Sequence, residues 1–335
     1  MRIESSVTAL SWIPSEAVEG LTKMPFETGV AHYDTTPPEV VEGAPALEEL
    51  RAADRFRFAN HLSAWIDVVD GVITGHGQGG GGLIGSTTMK VGKQFTFEAV
   101  ALPDIQFEPE VGDGWVRFGQ TAGGRTGVPA PRRVNHPPFV QFSAPLAWST
   151  VTLTLFADGR VEHELAGASS FPRHWVYGPD GKLSLKSGLV DFKDWYRHSF
   201  GKHTPWGDED SPAFVASVET ALERELSTQL MKGGAKPSIR KVREGSNLVE
   251  QGSPGSELFL LLDGVLSVEV DGAALAELGP GSMVGERAVL EGGLRTCTLR
   301  ALTPCRVAVA AADAIDRTKL VELSGIHRRE ENPSS

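Results

Sequence analysis

Val284-Gly285-Glu286-Arg287-Ala288-Val289-Leu290 and, five positions on, Arg295-Thr296-Cys297-Thr298-Leu299 predict a helical turn inserted between two short strands. Immediately upstream, Pro280-Gly281 breaks the chain. Further back, Leu258 to Leu262 is a continuous apolar run that reads as a buried strand, and Asp263-Gly264 is a turn. Leu266, Val268 and Val270 then alternate with Ser267 and Glu269, as one half-buried strand would. Successive short antiparallel strands follow from this spacing, and together they predict a small β-roll.

Turn glycines stand ahead of this stretch at Gly245, Gly252, Gly255 and Gly264, and Gly285-Glu286-x-Ala288 is followed by Arg295-Thr296-x-Thr298. This ordered set, spread over about 95 residues, resembles the cyclic-nucleotide-binding domains, whose phosphate-binding cassette the second group matches. The interval from Glu286 to Arg295 is that of the regulatory subunit of the cyclic-AMP-dependent kinase. The resemblance implies a ligand, cyclic AMP or cyclic GMP, and a role for each residue. An inserted helical turn offers unpaired N–H groups and a positive dipole end to the cyclic phosphate, with the Ala288 amide as one donor. Arg295 supplies a forked, permanently charged partner for the equatorial oxygens. Glu286 accepts the ribose 2′-hydroxyl bond, and Gly285 leaves room for the sugar. Thr296 has two readings of equal weight, a hydroxyl that meets a guanine edge or a threonine chosen for β propensity. The competing reading of Glu286 and Arg295 is a mutual surface ion pair in a roll without a ligand.

Two departures from the family pattern stand out. Arg287 takes the place of an aliphatic residue, which puts in doubt the hydrophobic relay from cassette to lid. After Asp313 the chain has room for one helix containing Ile315, Leu320, Val321 and Leu323, and not for a long lid helix as well. The base is then covered by the N-terminal domain, by another subunit, or not at all.

The rest of the chain divides at a change of period. From Phe56 to Phe192 short apolar alternations, such as Val151-Thr152-Leu153-Thr154-Leu155-Phe156, are separated by turns at Val111-Gly112-Asp113-Gly114, Ala157-Asp158-Gly159 and Pro179-Asp180-Gly181. They predict a β sandwich or barrel. Beyond it, Ser211 and Pro212 open a helix whose stripe is Phe214, Val215, Val218, Leu222, Leu226 and Leu230. Asp208, Glu209 and Asp210 suit the N-terminal end of its dipole, and Gly233-Gly234 follows Lys232 as a hinge. The expected architecture is mainly β with some α: a β-rich domain over 1–210, a connecting amphipathic helix and hinge over 211–236, and the β-roll over 237–330.

Other features bound the function. A formal charge of -11 over 335 residues argues against a nucleic-acid partner, since such binding depends on Lys and Arg at phosphates. No apolar run approaches the length of a membrane span, and the N-terminus lacks the order of a signal peptide, so the cytoplasm is the expected location. Cys297 and Cys305 have no partners at metal-ligand spacing, and no metal is expected. Gly75-His76-Gly77-Gln78-Gly79-Gly80 formally fits a dinucleotide pattern but opens no helix, so it reads as a flexible glycine loop. His163 and His174 lie in no catalytic motif. Trp65, Trp115, Trp175, Trp195 and Trp206 read as core, with a pocket lining as the rarer alternative. The sequence thus points to a binding and regulatory protein with no catalytic residues assigned, acting with a protein partner or as a homo-oligomer. The alternatives are a small-molecule enzyme in the N-terminal barrel under nucleotide control, and a ligand-free interaction protein.

Overall fold

The structure is a computed structural model that describes all residues except 19–22, 30, 32, 86–87, 92–94, 128–129, 134–136, 138–139, 189, 208–214, 218–222, 224–225, 227–236, 312–316 and 332–335. The chain forms two units, Met1–Ala213 and Phe214–Ser335. Both are built mainly from antiparallel strands. Among the described residues no helix is long and apolar enough to cross a membrane.

Within the N-terminal unit, one sheet runs in the order Leu183–Ser187, Arg173–Tyr177, Arg2–Trp12, Phe58–Val69, Val72–Ile84. A second runs Val161–Ala168, Leu146–Phe156, Trp115–Arg125, and short strands line the far side of Trp115–Arg125. The alternating stretch 151–156 lies within Leu146–Phe156, and the expected turns follow as Gly114, Gly159 and Gly181 take positive φ. The sheets face each other across a buried polar bridge. Asn60 Nδ2 donates to Gln120 O at 3.0 Å and Ser149 O at 2.8 Å, and Gln120 Nε2 donates to Asn60 Oδ1 at 2.8 Å. Such groups are tolerated inside a core because each finds its partner there. The helix Gly43–Ala52 places Leu47 on Leu10, Trp12, Phe56 and Trp175, and the helix Phe192–His198 places Phe192 and Trp195 on Phe171.

The glycine-rich segment expected to be a flexible loop is instead the strand Val72–Ile84, paired with Phe58–Val69 from Val69↔Val72 to Phe58↔Ile84. The reason is steric. A Cβ on Gly77 would lie 2.8 Å from the Trp65 indole, and one on Gly75 3.6 Å from it. The indole lies across the neighbouring strand, and glycine is what lets it do so. Sequence pattern alone does not reveal this, because glycine carries no alternation to read.

The C-terminal unit is a roll of two four-stranded sheets. One is ordered Ser238–Val242, Cys305–Ala311, Glu257–Asp263, Met283–Val284; the other Asn247–Val249, Thr298–Ala301, Leu266–Val270, Ala273–Leu278. Glu257–Asp263 shows why the run 258–262 is continuously apolar. Phe259 and Leu261 point into the core with Leu266, Leu299 and Val307. Leu258 and Leu260 point the other way, to a cluster with Leu226, Met283, Ala308, Leu320 and Leu323. A strand covered on both faces has no polar side to show. Leu320 and Leu323 belong to the helix Arg317–Glu331.

The connecting helix differs from expectation at its start. Val215–Ser217 is a strand, in keeping with the β-branched residues at 215 and 218, which lose side-chain freedom in a helix. Glu223 and Leu226 are helical. The acidic trio 208–210, Ser211, Leu222, Leu230, the Gly233-Gly234 hinge and Ile315 lie outside the described residues.

Candidate functional site

The inserted turn is the helix Glu286–Leu290, entered through Gly285 at φ 100°. That left-handed conformation favours glycine, and a Cβ there would also lie 2.7 Å from Glu257 O and 2.9 Å from an Arg295 nitrogen. Glu286 and Ala288 are buried on the helix. The turn is closed by Glu291 N donating to Arg287 O at 2.8 Å and Gly293 N donating to Ala288 O at 2.7 Å. The next strand begins at Thr298, so Arg295, Thr296 and Cys297 precede it in irregular backbone. Arg295 is nonetheless fixed there, because its N–H donates to Ser253 O and its C=O accepts from Gly252 N.

The Arg295 side chain is only 3% exposed. Its Nη1 donates to Glu257 O at 2.9 Å and its Nη2 to Glu257 Oε2 at 3.2 Å. The guanidinium lies 4.9 Å from the Phe259 ring, a cation–π arrangement. Nε is buried and, among the described residues, has no hydrogen-bond partner. Burial pushes the guanidinium below its ordinary pKa, and neighbouring Glu257 works in the opposite direction. Gly255 permits this seat, since a Cβ there would stand 2.4 Å from Nε.

All five residues singled out in the sequence, Gly285, Glu286, Ala288, Arg295 and Thr296, line one pocket. Arg287 lines it too, its Nε 3.7 Å from Glu291 Oε1. Val249, Val268, Leu278 and Leu299 form an apolar wall, and Leu275, 52% exposed, stands at the rim. Glu286 and Arg295 are both buried, so the alternative reading of them as a surface ion pair does not hold. The carboxylate that pairs with Arg295 is that of Glu257, about half exposed and also 3.7 Å from Arg240. Sequence reasoning missed Glu257 because a lone charge at the head of an apolar strand reads as ordinary edge polarity. It also missed Phe259, which looked like plain core. Neither Cys297 nor Cys305 forms a disulfide.

A two-sheet roll whose helical insertion and buried arginine converge on one pocket defines a ligand-binding module. Residues 239–318 match the family model for the cyclic nucleotide-binding domain, and this part of the chain is such a domain. Among similar proteins is the cGMP-dependent protein kinase egl-4 of Caenorhabditis briggsae, 36% identical over 63 residues, which are 19% of this chain and 8% of the kinase. Another is the potassium/sodium hyperpolarization-activated cyclic nucleotide-gated channel 3 of Homo sapiens, 32% identical over 111 residues, 33% of this chain and 12% of the channel. The chain therefore matches about a tenth of the length of these relatives. A solved cyclic nucleotide-binding domain from Methylobacillus flagellatus is 22% identical, with a TM-score of 0.27 over 33% of this chain and 79% of that one.

Proposed function

We propose that the chain is a cytoplasmic receptor for cyclic AMP or cyclic GMP that couples occupancy of its C-terminal roll to its N-terminal β-rich unit. The observation that carries this reading is Arg295, a buried guanidinium at the pocket whose Nε has no hydrogen-bond partner among the described residues. A buried donor left unmet is costly, and a cyclic phosphate in the pocket would meet it while sharing the guanidinium with Glu257. The Ala288 amide is a second donor, and the buried Glu286 carboxylate is the acceptor for the ribose 2′-hydroxyl. Gly285 keeps the floor clear. The pocket is narrow, about 110 Å³, so phosphate and sugar would sit inside with the base toward Leu275 and half-buried Thr296. A Thr296 hydroxyl in that position favours guanine over adenine.

The coupling part of this reading is supported by contacts within the C-terminal unit. Glu223 Oε1 accepts from Met283 N at 3.1 Å, two residues before Gly285, and Leu226 packs against Leu258, Leu260 and Met283. Glu223 and Leu226 are thus tied to the strand that leads into the cassette. A ligand moves this contact only by binding one arrangement of it more tightly. The output passes to a protein partner or to a second copy of the chain.

Calorimetric titration of the full chain with cyclic AMP and cyclic GMP tests the reading. Saturable binding of either supports it, and its absence for both at millimolar concentration rejects it.

A further inference from the structure

Late in the N-terminal unit a turn-rich segment, 199–207, lies against the ends of Trp115–Arg125 and Leu146–Phe156. It is fastened at several points. Leu146 N donates to Ser199 O at 2.8 Å, the buried Thr204 hydroxyl donates to Gly201 O at 2.7 Å, and Trp206 Nε1 donates to Pro103 O at 2.7 Å. Gly207 folds back so closely that a Cβ on it would lie 2.3 Å from Gly201 O. A loop held this way is preorganised, and little entropy is lost when something binds against it.

Between this loop and the strand ends is a cavity of about 410 Å³, walled by Leu102, Leu146, Phe200 and Trp206 and flanked by Arg125 and Lys202. Sites for small molecules occupy roughly 300–1,000 Å³ and combine apolar walls with a few placed polar groups. Its charge runs against that of the molecule. The chain has 43 acidic and 32 basic residues, yet among the described residues the lining includes Arg125 and Lys202 and no carboxylate. Arg125 is set in the middle of the sheet, its backbone paired with Val100 on one side and Leu146 on the other. Among the described residues its exposed guanidinium has no ion pair or hydrogen bond. A planar five-donor fork beside aromatic walls suits a carboxylate on an apolar body.

We propose that this cavity is a second binding site, specific for a small organic carboxylate with a branched or aromatic body, with Arg125 as its anion receptor. The proposal stands on the N-terminal unit alone and is independent of nucleotide binding by the roll. The test is a titration of the full chain, by calorimetry and ligand-observed NMR, with acetate, isovalerate, benzoate, phenylacetate and the neutral phenylacetamide. At least one of the three larger acids is expected to saturate, with acetate and phenylacetamide at least about tenfold weaker. Arg125→Gln is expected to weaken that acid at least about tenfold and to leave the cyclic-nucleotide titration unchanged. Should that variant not fold, Arg125→Lys, which keeps the charge and loses the planar fork, carries the same decision with a severalfold loss. The proposal is overturned if no acid saturates by about 10 mM, if phenylacetamide binds as tightly as phenylacetate, or if the folded variant binds the acid as the parent does.

Discussion

The N-terminal unit buries Arg57 and Arg173 and the C-terminal unit buries Arg295, and Arg57 and Arg295 are finished differently. Arg57, 4% exposed, meets buried Asp34 through both Nε, at 3.0 Å, and Nη2, and reaches Asp54 at 3.1 Å. Asp34 also accepts from Ile13 N at 2.7 Å. Arg295 is as deeply buried, but it has one main-chain carbonyl and one half-exposed carboxylate, and its Nε is left over. A buried cation enclosed by buried acceptors holds a fold together. One left short of acceptors beside a pocket is poised for an anion from outside.

The comparison can be broken at either end. Asp34→Asn leaves Arg57 charged in the core with the partly exposed Asp54 as its remaining carboxylate, and is expected to cost about 3–5 kcal/mol of stability in urea denaturation followed by tryptophan fluorescence. A loss under about 1 kcal/mol would show that the pair adds little. Arg295→Ala is expected to do the reverse. Nucleotide affinity should fall about 30-fold to several thousand-fold, equivalent to about 2–5 kcal/mol, while the urea midpoint moves little. Unchanged affinity in a folded variant would remove Arg295 from the site.

A third test separates the units by pH. Burial pushes His174 down to about 4, and it sits neutral between Ser11 Oγ at 2.7 Å and Ser169 O at 2.9 Å. The unfolded chain takes up a proton near its ordinary value of 6.5, whereas the folded chain resists until about 4. The neutral form's advantage is therefore fully present above about pH 6.5 and is lost as pH falls toward 4, about 3 kcal/mol in all. The N-terminal unit should weaken over that window, and His174→Asn should flatten the profile. The smallest effect is expected at Glu257→Gln. Removing a half-exposed carboxylate that competes for Arg295 should raise nucleotide affinity by no more than about fivefold, and a decrease would mean that Glu257 positions the guanidinium instead.

The roll was legible in the sequence because its residues are chosen by local rules. The apolar run 258–262, the turn at Asp263-Gly264 and the spacing of Gly285, Glu286, Ala288 and Arg295 each express a constraint a few residues long. What stayed hidden depends on residues far apart in the chain. Glu257 meets Arg295 across 38 positions and Asn60 meets Gln120 across 60, and neither pair leaves a periodic mark. The helix expected from Pro212 onward was misread at Val215–Ser217 for a related reason, since one apolar stripe fits both periods over so short a span. The cavity under Trp206 gave one weak signal, an aromatic residue in a turn-rich segment. Arg125, which supplies its charge, is remote in sequence.

The glycine strand carries a consequence for how this family of sequences can drift. The Trp65 indole lies between the Gly77 backbone and the Arg2 guanidinium, which stands 4.0 Å from its ring and bonds Asp67 at 2.8 and 2.9 Å. A methyl group at position 77 would stand 2.8 to 2.9 Å from three indole atoms, so the ring has to shift to admit it. Positions 65 and 77 are therefore expected to change together: a chain that loses the tryptophan is free to fill position 77, and one that keeps it is not.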